Sequence, residues 1–132
     1  MKRWTVALTF ILGLSLSLSA DDKLPSIHDI MEKAHEGKQS LRQQIADQLK
    51  KPTPDWANVQ KNAKEFVSLA EALAKHPSPK GDKSSWTKLT KEYAEQVKDL
   101  EKTAAKKDLK ATNTANQKLG ANCMGCHDAH RD

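Results

Sequence analysis

Apolar residues recur through residues 26–50 at Ile27, Ile30, Met31, Ala34, Leu41, Ile45 and Leu49. Their spacing puts them on one face of a helix with 3.6 residues per turn, so it predicts one long amphipathic helix. Ser26 followed by Asp29 resembles a capping box, in which the serine and the acid satisfy early backbone N–H groups. Gly37 weakens the middle of that helix a little. Lys51-Pro52-Thr53-Pro54-Asp55 then interrupts the pattern. Thr53 as N-cap and Pro54 as first helical residue suit a second helix. Its stripe is Trp56, Val59, Ala63, Phe66, Val67, Ala70 and Ala74, with lysines and glutamates on the other face.

Residues 76–83 hold two prolines and a glycine and form the longest break. Ser84 or Ser85 is placed to cap a third helix, with Trp86, Leu89, Tyr93, Val97, Leu100 and Ala104 on one side. Asp108 suits the N-cap of a fourth helix. That helix turns Leu109, Thr112, Ala115, Leu119, Cys123 and Cys126 inward. No convincing strand and no internal repeat appears. Four amphipathic helices of roughly 20 residues on short links predict an all-α fold, an antiparallel up-down-up-down four-helix bundle. Core aromatics are few and the helices are rich in alanine, which leaves space between them.

The first residues change the picture. Met1-Lys2-Arg3 is basic, a short apolar run follows, and the stretch ends in small residues at Ser17-Leu18-Ser19-Ala20. That is the layout of a secretory signal peptide, cut after Ala20 or after Ser19. The apolar run is short and serine-rich for a membrane span, although an uncleaved anchor is the alternative. Of 132 residues, removing the first 20 leaves 112, which is one domain's worth. With 22 basic and 17 acidic residues the chain carries +5, and losing Lys2 and Arg3 lowers this to +3. No basic stripe with interleaved aromatics occurs, so nucleic acid is not an expected partner. The positive balance suits docking to an acidic partner, or simply solvates helix faces.

Asn122-Cys123-Met124-Gly125-Cys126-His127 carries the chemistry. It reads Cys-x-x-Cys-His, the attachment signature of c-type haem. Two thiols must add across two vinyl groups, so they have to share one face, and positions three apart on a helix do. The histidine that follows can place its imidazole under the iron. Gly125 leaves room for a flat macrocycle near the backbone. A redox dithiol would expect a βαβ context, and a zinc site would expect four ligands. The chain has two cysteines, both claimed by the motif, so no disulfide is expected.

These features resemble the class II cytochromes c, the four-helix-bundle group that includes cytochrome c′. Members carry Cys-x-x-Cys-His on the last helix near the C-terminus, as Cys123, Cys126 and His127 do here. The family often continues Asp-Ala-Tyr-Arg. Here Asp128-Ala129-His130-Arg131 stands, so the arginine matches and the aromatic does not. Asp108-Leu109, Leu119-Gly120-Ala121-Asn122 and Trp86 are also similar to family positions. The resemblance implies one covalent haem c in the bundle, near the C-terminal helix. It also implies that Arg131 lies near the proximal imidazole. The family's sixth-side residue lies four after an arginine, and Met31 matches it by position. Ile27 stands where the arginine would be, which leaves the propionates without that partner. Lys38 is the candidate replacement, since helical spacing brings it into the stripe beside Ile27, Met31 and Ile45. Snorkelling to solvent is the other reading of Lys38.

Family members divide by the sixth side of the iron. A non-ligand there leaves a five-coordinate site open to a small gas, whereas methionine closes it for electron transfer. Met31 is the candidate ligand, and ordinary core filling is its alternative. His35, one turn on, makes a bis-histidine site conceivable, but it lies towards the edge of the stripe with His28 further out. His130, three after His127, is a candidate for the haem edge. His76 is expected to face solvent. The reading is therefore a periplasmic one-electron carrier without enzymatic activity, serving a redox partner protein. The alternatives are a gas-binding haem protein and a haem-free structural bundle. Some members of the family pair through their first two helices, so a homodimer stays open.

Overall fold

A computed structural model describes residues 23–131. The leader read at residues 1–20 lies outside the described residues. Among these the chain is all-helical, with no strand, in six helical segments. They are α1 (Ile27–His35), α2 (Leu41–Leu49), α3 (Trp56–Lys75), α4 (Lys83–Ala105), α5 (Leu109–Ala121) and α6 (Cys123–His130). No helix among the described residues is long and apolar enough to cross a membrane.

The long first helix expected over 26–50 is two helices. Ser26 caps α1, its hydroxyl accepting the Asp29 N–H at 3.0 Å. The chain then leaves the helical region at Glu36, and Gly37 adopts φ +76°, a conformation side chains resist. Ser40 restarts the helix. Its hydroxyl donates to the Gly37 carbonyl at 2.9 Å and accepts the Gln43 N–H at 3.3 Å. Gly37 therefore breaks the helix rather than merely weakening it. The fourth expected helix is likewise divided, at Asn122, which separates α5 from α6 and makes no side-chain cap.

Aspartates cap the remaining starts. Asp55 caps α3 by accepting the Asn58 N–H at 3.1 Å, where Thr53 was expected. Asp82 caps α4 by accepting the Ser85 N–H at 2.8 Å, where Ser84 or Ser85 was expected. An ionised carboxylate facing the positive end of a helix gains more than a hydroxyl does. Asp108 caps α5, as its position suggested.

Helices α3 and α4 pack on each other, α4 packs on α5, and α2 touches both α3 and α5. Short α1 lies on α2 and α3, while α6 rests on α4 and α5. The core between them holds Ile30, Ile45, Val59, Phe66, Val97, Leu100 and Leu119, all essentially inaccessible. Burying each such side chain stabilises the fold by about 1.5–3 kcal/mol before entropy is counted. Gln60 reaches from the start of α3 to the Ala104 carbonyl near the end of α4, at 3.0 Å. Arg42 and Asn116 tie α2 to α5 through each other's backbone carbonyls, at 3.4 and 3.3 Å. The Arg42 guanidinium passes directly over Gly120, where any Cβ would overlap it. Two expected core positions, Ala74 and Leu109, are exposed.

Candidate functional site

A cavity of about 430 Å³ opens where α1, α4, α5 and α6 meet. A second, of about 250 Å³, adjoins it. The two share Met31, Glu36, Leu73, Cys126 and His127 in their walls. The first is closed further by Leu89, Tyr93 and Leu119, and its lining is mainly apolar. This space lies against the Cys-x-x-Cys-His segment, and Ala121 is the one alanine in its walls.

Helix α6 sets the donors. Cys123 and Cys126, three apart on it, both line the larger cavity and are half-buried free thiols. The Cys123 thiol donates to the Leu119 carbonyl one turn back, at 3.4 Å. Burial, and then the neighbouring Cys123, push the Cys126 thiol up, which keeps it protonated at neutral pH. Nothing lies within 4 Å of where a Gly125 side chain would start, so the backbone between the thiols is open to a flat group. Met31 reaches the same walls from α1, half-buried against the core.

His35 is partly buried, as a boundary residue is, and it has specific partners. It is the last residue of α1, and its Nε2 lies 2.7 Å from the Tyr93 hydroxyl. The Phe66 ring stands edge-on to it at 5.4 Å. Its Nδ1 is buried without a hydrogen-bond partner. Burial, then the charges of Arg42 and His127, bring its pKa down to about 4, so the imidazole is neutral at pH 7. Burial pushes the Tyr93 hydroxyl well up, with further upward pushes from Cys123 and Cys126 against a downward pull from Arg42.

His130 borders the smaller cavity with Cys126 and His127, is 3% exposed and serves as a clasp. Its Nδ1–H donates to the Lys80 carbonyl at 2.6 Å, while Nε2 accepts from the Ser85 hydroxyl at 3.1 Å. The ring stands edge-on to Trp86 at 5.3 Å. Gly81, at φ +79°, lets the loop approach: a Cβ there would sit 2.6 Å from the Ala129 carbonyl. His76 departs from expectation, being half-buried with its Nε2–H donating to the Pro25 carbonyl at 2.6 Å. Arg131 is exposed, borders the smaller cavity with His127, and donates its backbone N–H to the His127 carbonyl at 3.0 Å. Lys38 is exposed and borders neither cavity, because the 36–40 segment is not helical and the helical spacing does not apply to it.

No family model, no curated protein and no solved structure matches the chain. The donor set has to be judged on its own chemistry. Among the described residues no three His, Cys, Asp or Glu side chains stand together as a metal site. Two thiols, an imidazole and a thioether around an apolar bay are instead a donor set that fits a haem. Glu92 borders the larger cavity and Glu36 borders both, and each would repel haem propionates; Arg131 supplies a cation in the smaller cavity, where Glu36 also stands. Sequence reasoning passed over Tyr93 as a site residue. Its signal was present: the chain's one tyrosine sits on an inward stripe, where a buried hydroxyl needs a partner.

Proposed function

We propose that this protein is an exported c-type monohaem cytochrome that carries single electrons in the periplasm. Cys123 and Cys126 would hold haem c through thioether bonds, His127 would be the proximal ligand and Met31 the sixth. The bundle is taken as antiparallel and up-down-up-down, with the haem against α6. One observation carries this reading: Met31, Cys126 and His127 line the same two adjoining cavities, although they come from opposite ends of the described chain.

When bound, haem supplies a one-electron iron couple. The chain's own residues set its surroundings. A thioether from Met31 favours the reduced state and raises the potential. Leu73, Leu89 and Leu119 keep water from the bay. Gly125 keeps the backbone between the thiols open. A net positive mature chain would dock on an acidic face of a redox protein, and pairing with a second copy is a further arrangement to test.

The five-coordinate, gas-binding alternative draws on a different observation. The His35–Tyr93 pair puts hydrogen-bonding groups in the larger cavity, where they could meet a small polar ligand. Absorption spectra of the purified protein, with and without carbon monoxide, separate the two. The carrier is low-spin in both oxidation states and binds carbon monoxide poorly. A high-spin protein that binds carbon monoxide quickly is the gas binder.

A further inference from the structure

We propose that Tyr93 is a positioning residue that holds His35 off the iron and so decides which side chain occupies the site opposite His127. The inference rests on the haem reading above but not on Met31 being the ligand. His35 and His127 line one cavity, and His35 follows Met31 by one helical turn on α1. An imidazole so placed is a strong competitor for iron. Protonation does not restrain it: its pKa near 4 leaves a neutral ring, the ligating form, at pH 7.

The restraint is the hydrogen bond between Nε2 and the Tyr93 hydroxyl, at 2.7 Å. Nδ1 makes no bond, so that contact alone fixes the ring's polar edge. Phe66 and Tyr93 frame the ring at centroid distances of 5.4 and 5.8 Å. Tyr93 thus has a task that packing alone would not require, since phenylalanine would fill the same space.

Tyr93→Phe tests this, because it keeps the ring that meets Phe66 at 6.2 Å and removes only the hydroxyl. Wild type, Tyr93→Phe and Tyr93→Phe/His35→Gln are matured in a cytochrome c-competent host. Their absorption and electron paramagnetic resonance spectra and potentials are then compared. The proposal expects Tyr93→Phe to show a bis-imidazole, low-spin signature and a lower potential, and the added His35→Gln to restore the wild-type spectrum. An unchanged Tyr93→Phe spectrum overturns it. So does a change that survives His35→Gln, or a wild type that already shows a bis-imidazole signature lost in His35→Gln. Protein mass on the same samples separates the two levels: wild type without haem rejects the cytochrome reading and this inference with it. Haem present with an unaltered Tyr93→Phe spectrum rejects this inference alone.

Discussion

Met31 in the first helix and His127 in the last border the same two cavities, and Cys126 lines both as well. This juxtaposition makes a sixth ligand from α1 physically sensible. Both cysteines are committed to the macrocycle in this reading, so the Met31 sulfur is the soft donor left at the bay. Met31→Ala should then open the sixth position. The variant is expected to show a high-spin signal, ready carbon monoxide binding and a lower potential. A Met31→Ala spectrum identical to wild type would remove Met31 from the iron.

The two cavities also predict a stability effect. If haem completes the core, the Cys123→Ala/Cys126→Ala variant should keep its helical far-ultraviolet signal but lose cooperative melting and near-ultraviolet structure, as a molten globule does. A sharp thermal transition like that of wild type would show that the helices pack adequately alone.

The contact between the 76–83 loop and the end of α6 should be sensitive to very small changes. Gly81→Ala forces an unfavourable φ of +79° and a clash with the Ala129 carbonyl. The expected cost is about 1–3 kcal/mol. His130→Leu takes away the ring partner of the Ser85 hydroxyl, at about 1–3 kcal/mol for a group left unsatisfied, while the Lys80 carbonyl keeps the Ser78 hydroxyl at 2.7 Å. Urea titrations of both variants measure these losses. Midpoints matching wild type would mean that the clasp is idle.

Much of this arrangement is legible along the chain, and the losses have physical causes. Periodicity found the inward faces of Ile30, Ile45, Phe66, Val97, Leu100 and Leu119, because burial repeats with the helical turn. It also carried the first helix straight through Gly37, since a periodic stripe says nothing about one backbone dihedral. Helix starts drifted by up to three residues, because Thr53, Asp55, Asp82, Ser84 and Ser85 are all acceptable caps and tertiary packing chose among them. The Cys-x-x-Cys-His segment was legible because its residues are neighbours in sequence. The His35–Tyr93 and His130–Ser85 pairs were not, being joined across 58 and 45 positions by packing.

His35 gives the fold a pH dependence of definite sign. Its folded pKa near 4 lies below its ordinary 6.5, so the folded state binds the proton less well than the unfolded chain. Its stabilising effect is complete above about pH 6.5 and is lost as pH falls towards 4, by about 3 kcal/mol in all. Urea midpoints should fall over that window in wild type and fall less in His35→Gln. Equal slopes in the two proteins would contradict a buried neutral imidazole.

Covalent haem is the claim on which the functional account stands, and the intact mass of the denatured wild-type protein, matured in a cytochrome c-competent host, tests it most directly. The account predicts one haem retained after denaturation, and its loss in the Cys123→Ala/Cys126→Ala variant. A wild-type protein from that host with the mass of the bare polypeptide would contradict it.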